Sequence, residues 1–192
     1  MTHPCSGCGL DFEDTPIIEI DADANPNVTR YFHNERCWLD WKARTAGEIR
    51  CFAGATALFA KAKEALLNAG IDWNSADPVI KVALIDGAVW EHALATDDFL
   101  DDVDAGGVID TAATLGSPTI ALGKADGADT TFASVTNAKV ITAILFYVHN
   151  ADPAAAPLVA IIEDAYGLPY TASGANIKVV YPSAGIFNVA AA

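Results

Sequence analysis

The sequence has few positively charged residues, and this scarcity limits the functions open to it. Eleven Lys and Arg stand against 25 Asp and Glu, so the 192-residue chain carries a formal charge of −14. Proteins that bind nucleic acids take most of their affinity from Lys and Arg side chains that neutralise phosphates. We therefore expect no nucleic-acid partner.

Arginine and cysteine are both missing from most of the chain. No arginine follows Arg50, and no cysteine follows Cys51. Residues 1–53 hold five basic residues against nine acidic ones, whereas residues 54–192 hold six lysines against sixteen acids. This change in composition predicts two modules. The first, over 1–53, is expected to be a small module made of a short hairpin and a helix, and the second, over 54–192, is the main domain.

Long apolar runs are also absent. No stretch reaches the roughly 18 apolar residues that a membrane helix needs, and the first residues lack the basic and apolar regions of a signal peptide. Hydrophobic residues nevertheless make up 52% of the chain, which is enough for a packed core. We expect a protein that is made and folded in the cytoplasm, without a membrane partner.

Four residues near the start have the spacing of a zinc site. Cys5 and Cys8 are separated by two residues, and His33 and Cys37 by three. A two-residue gap lets both thiolates of a tight turn reach one ion, and positions i and i+4 project from the same side of a helix. Four nitrogen and sulfur ligands close a tetrahedral sphere, so the predicted Zn²⁺ is structural. Metal binding would supply the free energy that a fifty-residue module cannot gain from its core.

Other interpretations of these residues stay open. Cys51 could replace His33 in a four-cysteine site, although a buried thiol is the simpler reading. His3 is a further substitute ligand. A disulfide between Cys5 and Cys8 suits a cytosolic product less well. The thiols and the histidine could also be unrelated.

The N-terminal half has the pattern of one hairpin and two helices. Residues 17–20 and 29–32 read as paired strands on either side of a turn, and a helix is predicted over 33–45, ending near Gly47. Residues 55–69 carry one apolar stripe at helical spacing, with Gly70 at the expected C-cap.

The rest of the chain consists of short apolar runs between turn residues. Residues 139–148 are apolar on both faces, which predicts a central strand covered on both sides. Residues 96–103 read as a helical or turn segment and 123–129 as a turn. The other predicted strands cover 79–85, 108–115, 119–122, 130–135, 158–162, 177–181 and 186–189. We therefore predict a mainly β fold, an antiparallel β-sandwich or jelly-roll-like domain preceded by a helix and the small zinc module.

No group of residues has the pattern of a catalytic site. His92 and His149 read as surface-loop histidines without a nucleophile nearby. The acidic run 97–104 lacks the oxygen spacing, central glycine and final glutamate of an EF-hand loop, so it reads as a solvated face. The four tryptophans fit packing better than a sugar site. We expect neither catalytic residues nor a small-molecule substrate, and no enzyme.

Several segments, in order, resemble small virion structural proteins of tailed bacteriophages. A helix over 56–73 ends in Ile-Asp-Trp and leads to the Ile-Lys-Val-Ala-Leu-Ile-Asp run at 80–86. Thr-Asp-Asp-Phe-Leu-Asp-Asp follows at 96–102, and 125–135 and 157–180 contain further similar stretches. The N-terminal module lies outside the resemblance, which covers about residues 55–190.

The resemblance implies a capsid decoration or minor capsid protein on the exterior of the virion. Its implied partners are the major capsid protein and copies of itself, with a trimer as one option. The alternatives are a tail or baseplate structural protein, a glycan-binding surface module, and a zinc-dependent regulator or enzyme. Net negative charge and a closed set of ligands argue against the last of these.

Overall fold

The structure is a computed structural model that describes most of the chain. Between residues 3 and 32 it describes the backbone of four short strands, and from there on it describes residues 35–52, 54–77 and 79–188. None of the helices within these ranges has the length and hydropathy that a membrane-spanning segment requires.

Strands dominate the described residues. The two α-helices are α1 (Glu35–Ala46) and α2 (Ala60–Leu67), and two short 3₁₀ turns cover Leu100–Asp102 and Pro153–Ala155. The strands are β1 (His3–Pro4), β2 (Asp11–Phe12), β3 (Ile18–Asp21), β4 (Thr29–Phe32), β5 (Glu48–Cys51), β6 (Thr56–Leu58), β7 (Ile80–Ile85), β8 (Val108–Thr114), β9 (Gly116–Ala121), β10 (Lys124–Ala128), β11 (Thr130–Phe132), β12 (Val140–Ile141), β13 (Ala143–Val148), β14 (Leu158–Ile162), β15 (Ala165–Tyr166), β16 (Tyr170–Thr171), β17 (Ile177–Val180) and β18 (Phe187–Asn188).

The largest sheet has five strands in the order β6-β14-β13-β7-β8, and every neighbouring pair is antiparallel. All six residues of β13 are buried. The prediction of a central, fully covered strand over 139–148 is therefore confirmed for residues 143–148. Residues 140–141 instead form the separate strand β12, which pairs with β16, and Val140 is 40% exposed. The prediction of a mainly β protein with antiparallel sheets is confirmed as well.

A four-stranded sheet has the order β11-β17-β5-β15. Its strand β5 pairs in parallel with β17 and antiparallel with β15. Residues 48–51, which the sequence assigns to the first module, thus lie in one sheet with strands from the end of the chain. The division into two modules at residue 53 stays a prediction. The smaller sheets have the orders β18-β10-β9, β12-β16, β1-β2 and β3-β4.

Trp73 connects two of the sheets in the core. Its side chain is fully buried. The indole Nε1 donates a hydrogen bond of 2.8 Å to the backbone oxygen of Asp126 in β10, the middle strand of the three-stranded sheet. The ring centroid lies 6.0 Å from that of Phe146 in the five-stranded sheet and 4.9 Å from that of Phe187 in the three-stranded sheet. One aromatic side chain therefore satisfies its polar atom and packs against both sheets.

The N-terminal hairpin and the helix after it follow the sequence-based prediction. Ile18 pairs with Phe32 and Asp21 with Thr29 in the antiparallel β3–β4 pair. The helix α1 ends where Gly47 adopts a φ of +68°, a conformation that glycine reaches without strain.

Two sequence-based predictions were wrong because strand pairing overrides the local sequence pattern. Residues 56–58 were predicted as helix, but they form β6 and pair with β14, so the helix begins only at Ala60. Residues 123–129 were predicted as a turn, but Lys124–Ala128 is strand β10. The turn is only the two residues Leu122 and Gly123, both at positive φ, as in a type I′ hairpin.

The C-terminus of α2 is a Schellman motif displaced by one residue from the prediction. The N–H of Gly70 bonds to the oxygen of Ala65 at 2.7 Å, and the N–H of Ala69 bonds to that of Leu66 at 3.4 Å. The left-handed position, with φ of 53°, therefore falls on Ala69 and not on Gly70.

Replacing the residue at this left-handed position should stabilise the protein. Ala69→Gly removes the contact between Cβ and the following carbonyl, so we expect the free energy of unfolding to rise by ~0.5–1 kcal/mol. The matched control is Ala65→Gly inside the same helix, which should lower it by about 1 kcal/mol. Urea denaturation of both variants measures the two changes. If the two substitutions changed the free energy of unfolding in the same direction, the assignment of Ala69 to the left-handed position would be contradicted.

Candidate metal centre

Cys37 is the one predicted zinc ligand whose side chain the structure describes. It lies in the first turn of α1 and is 9% exposed. Cys5, Cys8 and His33 lie outside the described residues, so the four-ligand site stays a prediction. Among the residues that are described, no group of three or more His, Cys, Asp and Glu side chains is placed to hold a metal ion.

The described strands bring together the segments that flank the predicted ligands. In the β1–β2 pair, Pro4 is opposite Asp11, so the strands on either side of Cys5 and Cys8 lie next to each other. The chain then forms the β3–β4 hairpin, and only residues 33 and 34 separate the end of β4 from the start of α1. The β1–β2 pair, the β3–β4 hairpin and α1 therefore follow one another along the segment that contains the four predicted ligands.

An ion pair and two aromatic rings hold the first turn of α1 against the β domain. Arg36 donates to the carboxylate of Asp164. Its guanidinium carbon lies 5.6 Å from the ring centroid of Phe52 and 5.7 Å from that of Tyr166. The hydrogen bond to Asp164 raises the pKa of Arg36 further above its usual value. Both charged side chains are about half exposed, so the ion pair alone contributes at most about 1 kcal/mol.

One turn further on, α1 makes a second polar contact with the β domain. The Oδ1 atom of Asp40 accepts a 2.9 Å hydrogen bond from the N–H of Gly167. Gly167 has a φ of +96°, and a Cβ there would lie 2.8 Å from the oxygen of Glu48 and 3.4 Å from the Cβ of Ala43. Only glycine fits between the helix and β5. Ala43 is fully buried at this junction.

These contacts fix the helix that carries Cys37. Arg36, Asp40 and Ala43 lie at positions i, i+4 and i+7, so they share one face of α1. The spacing of these three residues indicates a shared helix face in the sequence. Two of them are charged, however, so the face does not form the apolar stripe by which a buried helix face is usually recognised. Their partners, Asp164 and Gly167, are 128 and 127 residues away and leave no local signal.

Cys51, the alternative ligand, has the environment of a structural thiol. It lies in β5 and is 8% exposed. Burial, and secondly the charge of Asp129, raise the pKa of the thiol to about 12. Because the thiolate is the form that binds metal, this pocket favours the form that does not bind.

The remaining candidate residues do not come together. His149 is exposed, as predicted. His92 differs from the prediction of a surface loop: its side chain is only 17% exposed, its Nδ1 is 3.5 Å from Glu163, and its ring contacts Phe59 and Trp90. In the acidic run, Asp97 accepts the N–H of Ala93. Asp102 accepts those of residues 98 and 99, so these carboxylates cap local turns.

Comparison with known proteins gives no family. No protein-family model matches the chain, and no curated protein matches it.

The zinc prediction can be tested with two cysteine variants. Cys37→Ser removes one of four ligands, so we expect the metal content of the purified protein to fall from about one zinc per chain to well below it. Cys51→Ala should keep the metal, because its thiol is buried and protonated. Elemental analysis of both variants measures the difference. Loss of zinc from both variants would point to the four-cysteine alternative, which also contains Cys37, and full retention by Cys37→Ser would contradict the site.

The buried thiol also predicts a pH dependence of stability. In the unfolded chain Cys51 ionises near its ordinary pKa of 9.0, whereas the folded protein keeps it protonated to about pH 12. Above pH 9 the unfolded state therefore binds fewer protons, and stability falls as pH rises. Between pH ~8 and pH ~10, the free energy of unfolding should fall by about 1 kcal/mol more in the wild type than in Cys51→Ala. Denaturation of both proteins at each pH measures this difference. The same pH dependence of the free energy of unfolding in the wild type and in Cys51→Ala would contradict the prediction.

Proposed function

We propose that this protein is a structural component of a tailed-phage virion that decorates the head shell and stabilises it through protein–protein contacts. The segments that resemble phage structural proteins support the proposal through their roles in the fold. The run at 80–86 supplies β7, next to the central strand β13. The segment at 96–102 forms capped turns, and its Leu100 packs against the core.

The observation that carries the proposal is a set of exposed aliphatic side chains. Leu67 is 88% exposed, Leu122 is 95% exposed and Ile120 is 47% exposed. We call these three residues the aliphatic patch. Single exposed leucines are common, but a cluster of them at a groove marks a surface that contacts another protein. An assembly protein needs such a surface.

We infer further that the five-stranded and four-stranded sheets face each other as a β-sandwich. Phe146 in β13 lies 5.7 Å from the ring of Tyr181, which follows β17. The hydroxyl of Tyr181 is 2.9 Å from that of Thr130 in β11. These contacts join the inner faces of the two sheets.

The zinc module, in this proposal, extends the assembly surface. Structural Zn²⁺ held by Cys5, Cys8, His33 and Cys37 would give a shape to the residues before α1. The contacts of Arg36 and Asp40 would hold that shape in a fixed orientation on the β domain. A decoration protein requires such rigidity, since each contact with the shell must be repeated in the same geometry.

The burial of two of the four tryptophans, Trp73 and Trp90, disfavours the glycan-binding alternative, and Trp38 and Trp41 are only partly exposed. Sugar rings stack on exposed indole faces, whereas Trp73 is fully buried and Trp90 is 4% exposed. A tail or baseplate protein would use the same kind of assembly surface, and the two placements are separated by experiment.

The test uses particles of the phage whose genome encodes this chain, produced with the gene deleted. Purified zinc-loaded protein should co-sediment with expanded empty heads and raise their melting temperature in calorimetry by several degrees, because it adds contacts between shell subunits. Isolated tails from the same phage serve as the control. Binding to tails and not to heads would support the tail alternative, and binding to neither would contradict a virion role.

A further inference from the structure

An open apolar groove lies between the end of α2 and the β9–β10 hairpin. Its volume is about 700 Å³, and Lys63 and Asp72 are its charged lining residues. The apolar lining is Leu58, Leu66, Leu67, Ala69, Ile71 and Ile120. Two residues of the aliphatic patch thus line the groove, and the third lies beyond it on the same hairpin.

That third residue, Leu122, is not explained by the turn in which it lies. It occupies the first central position of the type I′ turn with a φ of 52° and is 95% exposed. Turns of this type favour Asn, Asp or Gly there, and a large aliphatic side chain in the left-handed region costs stability. A leucine at this position neither helps the hairpin nor contributes to the core. A contact with another molecule would account for it.

Leu122 and the groove share the β9–β10 hairpin. Ile120 lines the groove and Leu122 is two residues further along, so a two-fold axis beside the hairpin would bring each Leu122 to the groove of the other copy. A two-fold interface uses the same patch on both copies, so it suits a patch that contains both a projecting side chain and a groove. A ring of three copies instead needs the side chain and the groove on different faces of the molecule.

The charges beside the groove are also self-complementary. Lys63 and Asp72 are exposed and of opposite sign. Among the described residues Lys63 makes no salt bridge, and Asp72 accepts the N–H of Asn74 at 3.0 Å. A two-fold axis that relates the two grooves can bring each lysine towards the partner's aspartate, which favours this arrangement over contact with a uniformly acidic surface.

We propose that a second copy of this chain occupies the groove in a two-fold dimer, with Leu122 of each copy inserted beside Leu67 and Ile120 of the other. The inference rests on the proposed function, since it names the partner of the same assembly surface. The dimer would then be the unit that attaches to the shell.

The decisive variant is Leu122→Asn, because asparagine suits the turn while it removes the inserted side chain. Analytical ultracentrifugation of the full zinc-loaded chain should show a concentration-dependent dimer for the wild type. The dissociation constant should rise by about 100-fold for the variant, since two leucines leave the interface. The melting temperature of the diluted, monomeric variant should be equal to or above that of the wild type. A defect in folding would instead lower it.

Two further sets of variants make the test specific. Val140→Thr removes an aliphatic side chain of β12 that is 40% exposed and does not line the groove, and it should leave the dissociation constant unchanged. Lys63→Glu and Asp72→Lys should each weaken the dimer about threefold to tenfold at low salt. The double variant should recover most of the loss, because it restores opposite charges across the interface.

The outcomes separate this inference from the proposed function. A wild-type protein that stays monomeric at high concentration, or a dimer that Leu122→Asn does not weaken, would overturn the inference. Loss of head binding by Leu122→Asn without any change in self-association would also overturn it, because the patch would then face the shell, and the proposed function would stand. A dimer that dissociates as described, together with no binding to heads, would leave the inference standing and remove the function.

Discussion

The complete burial of β13 is the constraint on which the rest of the fold depends. A strand with six buried residues needs neighbours on both edges and cover on both faces. β7 and β14 supply the edges. On one face, Phe146 contacts Trp73 and Tyr181, so the loop after α2 and the strand β17 must both reach this strand. The three-stranded sheet is tied to the same point through Phe187.

The sequence predicts well the elements whose signal is local. Residues 143–148 are apolar without interruption, and burial on both faces is the simplest cause of such a run. The β3–β4 hairpin and α1 also follow from spacing and turn residues. The predictions fail where the partner is distant. Residues 56–58 have the composition of a helix, but the edge of β14 offers backbone hydrogen bonds that a longer α2 could not use. Lys124–Ala128 contains turn formers, yet it pairs on one edge with its hairpin neighbour β9 and on the other with the distant strand β18.

The same distinction between local and distant signals applies to the candidate metal site. The ligand types and their spacing are visible in the sequence, and the structure describes one of them, Cys37. The sequence does not show how the helix that carries Cys37 is held in place, because its contacts are with Asp164 and Gly167, at least 127 residues further along the chain. Cys51 illustrates the same limit. Its residue type fits a metal ligand, and only its position in β5, buried beside Tyr181 and Asp129, raises the pKa of the thiol and favours a structural role.

The contacts of α1 limit the part of the chain that a bound metal ion would need to stabilise. Because β5 pairs with β15 and β17, and α1 is held by Arg36, Asp40 and Ala43, the residues from Glu35 onward gain their contacts from the β domain and do not depend on Zn²⁺ for them. A metal bound through Cys37 would then be anchored to a helix that is already in place. The free energy of metal binding would act on the segment before α1. If the predicted zinc site is present, the limit of the metal-dependent structure would therefore fall near the start of α1, well before the change in composition at residue 53.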